Sequence, residues 1–151
     1  MGRFCNWTLL GEGSYGSVHR AYDLIQRRYV AVKTFKPSEY DDSGEVTVTT
    51  MREISILNSL SFHENVCQLI FVHHQQKSTE NSVQLIFELE DMDLEDWVIK
   101  LKGRRVSLVD CKYITYQILV GTNHLHNHRI MHRDLKPDNI LVQDKSKTVS
   151  N

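Results

Sequence analysis

One octet narrows the possible folds of this chain more than any other segment: His132-Arg133-Asp134-Leu135-Lys136-Pro137-Asp138-Asn139. It matches the pattern H-R-D-L-x-x-x-N, in which an aspartate and an asparagine lie five residues apart on one loop. In this pattern the aspartate accepts the proton of an attacking hydroxyl, and the asparagine holds a metal ion. We therefore predict that Asp134 is a catalytic base, that Lys136 stabilises charge on a transferred phosphoryl group, and that Asn139 is a magnesium ligand. The alternative is a charged surface loop, which a match of this specificity disfavours.

A glycine-rich segment near the amino terminus, Gly11-Glu12-Gly13-Ser14-Tyr15-Gly16-Ser17-Val18, matches G-x-G-x-x-G-x-V. The glycines alone are a weak signal, because dinucleotide-binding folds use the same spacing. Those folds need a helix directly afterwards, whereas Val18–Tyr22 alternates with the period of two that is typical of a strand. Since Phe4–Leu10 also reads as a strand, we predict two strands joined by a turn whose backbone approaches nucleotide phosphates. An ordinary hairpin with a loose turn is the alternative.

The next strand, predicted at Tyr29–Phe35, contains Val30-Ala31-Val32-Lys33 and fits the pattern V-A-I-K. A lysine in an apolar strand usually faces solvent on the polar side. Lys33 lies seventeen residues after Gly16, which leaves room for one strand, a turn and a return strand. This spacing would place the Lys33 ammonium beside the phosphates.

A helix is predicted at Val48–Leu60, because Met51, Ile54, Leu57 and Leu60 recur at intervals of three. Glu53 lies beside this apolar face and is a candidate ionic partner for Lys33. Opposite charges about 4 Å apart attract by roughly 4 kcal/mol near a protein surface, before the cost of desolvation. The alternative is that Arg52 and Glu53 simply form a polar helix face.

Two apolar runs, Val66–Val72 and Val83–Glu88, predict antiparallel strands joined by an exposed loop at His73–Ser82. An acidic stretch follows between residues 88 and 96. It can be a hinge whose backbone hydrogen-bonds adenine, a solvated connector with an acid-rich helix start, or both.

A long helix is predicted at Leu108–His128, with an apolar face that must be buried against another element. That face consists of Leu108, Cys111, Ile114, Ile118 and Leu125. His124 and His128 have the spacing of zinc ligands on a helix, but the glutamate of H-E-x-x-H is absent, which disfavours zinc. Ile140–Val142 predicts a short buried strand.

The composition excludes several classes of partner. The chain has 151 residues and a formal net charge of -1, so we expect no general attraction to nucleic acid or to a membrane. Its three cysteines show no C-x-x-C spacing, which disfavours a disulfide framework or a zinc knuckle and favours a reducing compartment. No signal peptide and no apolar run of about eighteen residues are present in the sequence.

Taken in order, these motifs resemble those of the eukaryotic protein kinases over nearly the whole chain, and Lys136 is similar to the serine/threonine class. More narrowly, the chain resembles the cyclin-dependent kinases in three segments: Gly11–Gly16 as G-E-G-x-Y-G, Met51–Ser55, and Leu85–Glu88 followed by Asp93-Leu94. The resemblance implies an α+β fold with an antiparallel β-sheet N-lobe, one regulatory helix and the first helices of a mainly helical C-lobe. It also implies ATP and Mg²⁺ as cofactors, a protein substrate and a cyclin-like regulatory subunit. The segment Thr47–Thr50 departs from the best-known helix sequence of that family and leaves the identity of the cyclin open.

The resemblance assigns roles to individual positions. Lys33, Glu53, Asp134 and Lys136 would be catalytic, and Phe87 would be the gatekeeper beside the adenine. The implied ATP-binding residues are Leu10, Gly11, Glu12, Gly13, Ser14, Tyr15, Gly16, Val18, Ala31, Lys33, Phe87, Glu88, Glu90, Asp93 and Leu141. Ser14 and Tyr15 would also be sites of inhibitory phosphorylation.

The 151 residues contain neither Asp-Phe-Gly nor Ala-Pro-Glu, the later motifs of a kinase. We therefore expect residues 1–151 to form an incomplete kinase domain, with the N-lobe and hinge at about 1–90 and the start of the C-lobe at 91–151. We expect this polypeptide to be truncated and of impaired activity, because the missing aspartate is the main holder of magnesium. The alternative is a non-catalytic module that binds a cyclin-like partner or nucleotide. Either would lie in the nucleus or the cytoplasm.

Overall fold

The structure, a computed structural model, describes residues 2–13, 16–36, 40, 47–76 and 81–143, with only the backbone at positions 49, 75, 76, 81 and 82. The chain divides into two compact units. We call Met1–Leu60 with Gln68–Leu89 the sheet unit, and Ser61–Cys67 with Glu90–Asn151 the helical unit. A short segment, 61–67, thus interrupts the sheet unit and belongs to the helical unit.

The sheet unit contains a five-stranded antiparallel sheet in the order β1-β2-β3-β5-β4. The strands are β1 Phe4–Glu12, β2 Gly16–Asp23, β3 Arg28–Phe35, β4 Leu69–Gln76 and β5 Asn81–Phe87. The predicted pairing of two strands across the glycine segment is confirmed. β1 runs two residues past its predicted end, because Gly11 and Glu12 still pair with β2.

Two predictions about β4 are wrong. The strand begins at Leu69 rather than Val66, since the Val66 amide donates to the carbonyl of His63 and closes a turn. Of the expected exposed loop at His73–Ser82, residues 73–76 and 81–82 are strand, because β4 and β5 remain paired as far as Gln76 and Asn81. Residues 77–80 of that loop lie outside the described part of the chain.

Apolar side chains cover both faces of the sheet, because neighbouring residues of a strand point to opposite sides. The first core cluster contains Phe35, Ile54, Leu69, Val83 and Leu85. The second core cluster contains Ala21, Val30, Val32 and Ile86.

The helix α1, Val48–Ser59, joins the first core cluster. Thr47 caps the helix, since its hydroxyl accepts a hydrogen bond from the Thr50 amide at 3.4 Å. Ile54 and Leu60 of the predicted apolar face are buried, but Met51 is 52% exposed, so the prediction is wrong at that position. A helix that covers a sheet buries a narrower stripe than its sequence offers when only one neighbour packs on it.

A buried ion pair connects the first two strands. The Asp23 side chain is fully buried and accepts hydrogen bonds from Nε and Nη2 of Arg3 and from the amides of Ile25 and Gln26. Burial alone would raise the pKa of Asp23, but these hydrogen bonds outweigh it and hold the pKa below its ordinary value.

Because the pKa of Asp23 is lowered in the folded protein, the free energy of unfolding should depend on pH in the acidic range. Its stabilising contribution is complete above the pKa of the unfolded chain, about 3.9, and is lost as the pH falls through the folded pKa. We expect the free energy of unfolding, measured with urea, to fall below about pH 4, and Asp23→Asn to flatten that decline. Glu64→Gln, at an exposed position, is the control. Equal pH profiles for the wild type and Asp23→Asn would contradict this assignment.

The helical unit contains α2 Leu94–Lys100, α3 Leu108–Asn127 and a two-stranded sheet of β6 Met92–Asp93 with β7 Leu141–Val142. The predicted burial of one face of α3 is wrong at Leu108, which is 70% exposed, and at Cys111, which is also exposed. Ile114, Ile118 and Leu125 of that face are partly buried, and Gly121 is the buried residue of the helix. The predicted burial of the last strand is also wrong, because Leu141 is exposed. No helix among the residues described here is long and apolar enough to cross a membrane.

Segment 61–67 docks on α3 through histidines. Nε2 of His124 lies 3.2 Å from the carbonyl of Ser61, and Nε2 of His128 lies 3.3 Å from the Ser61 hydroxyl. The His124 ring also contacts the rings of His63 and His128 in tilted arrangements. These imidazoles hold the segment in place, and within the described ranges no group of three or more histidine, cysteine, aspartate or glutamate residues could hold a metal.

Gly121 of α3 lies close to the backbone of this segment. A Cβ atom at Gly121 would lie 2.5 Å from the backbone oxygen of Asn65. Alanine normally stabilises a helix by about 1 kcal/mol relative to glycine. At this position the clash with Asn65 should make a glycine-to-alanine substitution destabilising instead. We expect Gly121→Ala to lower the free energy of unfolding by about 1–3 kcal/mol in urea titrations. Asn123→Ala, at an exposed position of α3, should change it by less than about 0.5 kcal/mol; equal values for both variants would contradict the contact.

Candidate functional site

The glycine segment forms a tight antiparallel hairpin. Glu12 pairs with Ser17, and the Gly13 amide donates to the Gly16 carbonyl at 2.8 Å. Gly16 also pairs with Phe35 of β3, and a Cβ atom there would lie 2.1 Å from the Thr34 oxygen. Gly16 is thus required by the packing of β2 on β3. Ser14 and Tyr15 lie outside the described residues.

Lys33 lies at the centre of the sheet, where its register partners are Val18 on β2 and Leu85 on β5. Its Nζ atom lies 2.5 Å from Oε1 of Glu53 on α1, so the ion pair expected from the sequence is present. The Lys33 side chain is 23% exposed and that of Glu53 is 42% exposed. A pair this accessible adds little to stability, about 0–1 kcal/mol, so its main effect is to fix the direction of the ammonium.

Other predicted nucleotide contacts are arranged around Lys33 by strand register. Ala31 on β3 pairs with Phe87 at the end of β5. Leu10, Gly11 and Glu12 lie on the last part of β1, opposite the first residues of β2. Strand pairing therefore brings together the residues of the sheet unit that the sequence analysis selects.

Glu88 follows β5 and has a partner that the sequence analysis missed. Nη1 of Arg28, the first residue of β3, lies 3.0 Å from Oε1 of Glu88. The two residues are 60 positions apart, and no local pattern joins them. The ion pair occupies the Glu88 side chain and leaves its backbone as the group that is available to an adenine.

The octet His132–Asn139 lies in the helical unit and is organised by a 3₁₀ turn, Pro137–Asn139. This turn brings Asn139 back to Asp134, where Nδ2 of Asn139 donates to the Asp134 carbonyl at 2.8 Å and to Oδ2 at 2.9 Å. Nζ of Lys136 lies 3.8 Å from Oδ2 of Asp134 and 3.5 Å from Oδ2 of Asp138. The structure therefore brings together the three octet residues to which the sequence analysis gives chemical roles.

The orientation of Asn139 suits a hard cation. Because the amide nitrogen of Asn139 points toward Asp134, its amide oxygen points away and can coordinate a metal ion. Amide and carboxylate oxygens are the ligands that Mg²⁺ prefers, usually one or two of them beside waters and phosphate oxygens. The described residues thus fit part of a magnesium shell that ATP would complete.

The remaining predicted nucleotide contacts lie on or next to the two-stranded sheet of β6 and β7. Asp93 pairs with Leu141 across β6 and β7, and the Leu94 amide donates to the Ile140 carbonyl at 2.8 Å. Oδ1 of Asp93 accepts a hydrogen bond from the Asp96 amide at 2.7 Å and so caps α2. Glu90 lies just before β6.

A carboxyl pair formed by Glu95 of α2 and Asp138 of the octet is another feature that the sequence analysis missed. A hydrogen bond with Asp138, together with repulsion from the same group, raises the pKa of Glu95. A hydrogen bond from its own amide and then the one with Glu95 lower the pKa of Asp138. Asp138 thus stays ionised beside Lys136.

Comparison with known proteins assigns the class. Residues 4–149 match the protein kinase domain, so the chain belongs to the protein kinase family. It is 35% identical over 149 residues to Cell division control protein 2 homolog D of Antirrhinum majus, covering 97% of this chain and 47% of that protein. It is 38% identical over 140 residues to Cell division control protein 2 homolog 3 of Trypanosoma brucei brucei, covering 93% of this chain and 42% of that protein. These relatives support the resemblance to the cyclin-dependent kinases, and the chain spans less than half the length of each.

Proposed function

We propose that the protein containing these residues is a serine/threonine kinase of cyclin-dependent type, which transfers the γ-phosphoryl group of ATP to a protein hydroxyl. The main observation in support of this proposal is the ion pair between Lys33 of β3 and Glu53 of α1. Kinase chemistry requires this lysine–glutamate pair to be formed before transfer. The membership of the chain in the kinase family supports the same conclusion.

Most of the implied nucleotide contacts belong to the sheet unit, and Glu90, Asp93 and Leu141 belong to the helical unit. The backbone of Gly11–Gly16 would cover the phosphates, and the Lys33 ammonium would bind the α- and β-phosphate oxygens. Glu53 would hold Lys33 in that direction. Leu10, Val18, Ala31, Phe87 and Leu141 would contact the adenine, the backbones of Glu88 and Glu90 would hydrogen-bond it, and Asp93 would contact the ribose.

The helical unit would carry out the transfer. The substrate hydroxyl oxygen attacks the γ-phosphorus while the bond from that phosphorus to the bridging oxygen of ADP breaks. The hydroxyl proton passes to the carboxylate of Asp134, and Lys136 stabilises charge on the moving phosphoryl group. Asn139 would hold Mg²⁺, which supplies positive charge that neutralises the phosphates when it is bound.

Regulation and location follow from the same resemblance. A cyclin-like subunit would contact α1, whose position decides whether Glu53 reaches Lys33. Ser14 and Tyr15 stay predicted sites of inhibitory phosphorylation, since a phosphate of about -1.5 to -2 charge would repel ATP. The protein would act in the nucleus or the cytoplasm.

A polypeptide limited to these 151 residues has a second candidate function. It contains no Asp-Phe-Gly sequence, and losing one charge-stabilising group typically costs about 10²- to 10³-fold in rate. Such a polypeptide would be catalytically impaired and would act as a module that binds a cyclin-like partner or nucleotide.

The test compares two purified proteins: these 151 residues, and the product of the longest reading frame that contains them. Each is incubated with γ-labelled ATP, Mg²⁺ and peptide libraries whose acceptor is either serine and threonine or tyrosine. We expect the longer product to label serine and threonine peptides alone, and EDTA to abolish the labelling. Labelling of tyrosine peptides, or none by the longer product, would overturn the proposal. ATP binding by the 151 residues without labelling would support the second function for that polypeptide.

A further inference from the structure

Tyr40 lies between β3 and α1 in the sequence, and its side chain contacts the backbone of β5. Its hydroxyl accepts a hydrogen bond from the Val83 amide at 3.0 Å. Its ring packs, partly buried, against the first core cluster. Both contacts lie within the sheet unit, but the two residues are 43 positions apart.

The Val83 amide donates its hydrogen bond outside the pairing of β3 with β5. The two strands pair from Ala31 with Phe87 to Thr34 with Gln84, and Phe35, the last residue of β3, pairs with Gly16 of β2. Val83 therefore lies one position beyond the paired part of β5 on its β3 side. Val83 is only 6% exposed, and a buried amide without a partner is costly. The Tyr40 hydroxyl thus takes the place of the next residue of the ladder.

Neighbours of both members of the ion pair belong to the same cluster. It contains Ile54, the neighbour of Glu53 on α1, and Leu85, the register partner of Lys33 on β5. Tyr40 packs against this cluster and, through the Val83 amide, contacts the strand on which Lys33 is aligned.

We propose that Tyr40 is a positioning residue for phosphoryl transfer, which fixes α1 so that Glu53 meets Lys33. This role rests on the function proposed above. Tyr40 touches neither the nucleotide nor the reacting atoms; it acts through Glu53. A tyrosine that served only as core packing would stabilise the sheet unit without any special dependence on Glu53.

A double-mutant cycle separates these two roles, because coupled residues are non-additive and independent ones are additive. In the longer kinase product, Tyr40→Phe removes the hydroxyl and keeps the ring. We expect it to lower kcat/KM by about fivefold to tenfold, the value of one hydrogen bond. In a Glu53→Gln background the same substitution should change kcat/KM by less than about twofold. Equal losses in both backgrounds would overturn the proposal.

Hydrogen exchange tests the same role without an active enzyme. Tyr40→Phe should speed the exchange of the Val83 amide and of the α1 amides about fivefold to tenfold, and leave the amides shared by β1 and β2 unchanged. Uniform acceleration through the sheet would overturn the proposal. Tyr116→Phe, at a tyrosine that is 66% exposed, is the matched control and should alter neither measurement. If the wild type lacks kinase activity, the proposed function fails, and the exchange pattern still decides whether Tyr40 positions α1.

Discussion

Asp134→Asn should reduce kcat of the kinase by about 10²- to 10⁴-fold, the usual contribution of a general base. The substitution keeps the size and the carbonyl oxygen of the side chain but removes its capacity to accept the substrate proton. The fold should not change, since the Asp134 side chain is 69% exposed and its contacts are local. Steady-state kinetics with a phosphorylated serine peptide as product provide the measurement, and KM for ATP should stay within about threefold.

Asp96→Asn is the matched control for this variant. It makes the same chemical change at an exposed carboxylate of α2, whose known contact at the helix start is through its backbone amide. We expect its kcat to equal that of the wild type. If Asp134→Asn retained more than about a tenth of the wild-type kcat, Asp134 would not be the base.

Lys33→Met should lower kcat/KM for ATP by about 10²- to 10³-fold, the usual cost of removing one group that stabilises charge. Methionine has a similar length but carries no charge, so it can neither bind the phosphates nor pair with Glu53. KM for ATP should rise as well, because the role proposed for Lys33, unlike that proposed for Asp134, is to bind the nucleotide before and during transfer. The free energy of unfolding should change by less than about 1 kcal/mol, since the ion pair is partly open to water.

Lys112→Met, at an exposed position of α3, is the control for this change and should retain full activity. A Lys33→Met protein whose kcat/KM stayed within about threefold of the wild type would remove Lys33 from the site. A large loss of stability in Lys33→Met would instead show that the residue acts through the fold.

The parts of the site that depend on short-range order were predictable from the sequence. A five-residue interval from Asp134 to Asn139 is closed by one 3₁₀ turn, so the contact between them is a property of the octet alone. The ion pair of Lys33 with Glu53 spans 20 residues and was predictable because a strand, an apolar helix face and two motifs all constrain it. Arg28 with Glu88 and Tyr40 with Val83 have no such constraint, and the sequence analysis did not find them.

The errors in the predicted fold arise because the sequence does not show which apolar residues are buried. Val66 looks like a strand residue because it is β-branched and apolar, yet it closes a turn in the segment that docks on α3. The apolar residues of α3 predict a buried face, but hydrophobicity indicates only that burial would be favourable, and Leu108 is exposed in the structure. Hydrophobic periodicity indicates whether a segment is a helix or a strand, but it does not indicate which neighbouring element packs against it.

The sequence by itself determined the kinase family, the order of the first three strands and α1, and which octet residues carry the proposed chemistry. Each of these depends on residues that are close in the chain or on motifs with fixed spacing. Only the tertiary structure decided that segment 61–67 leaves the sheet unit, that Gly121 is needed for its docking, and that Tyr40 completes the edge of β5. The physical reason is that steric exclusion and the pairing of a buried amide depend on distances between remote residues, which no local pattern of side chains specifies.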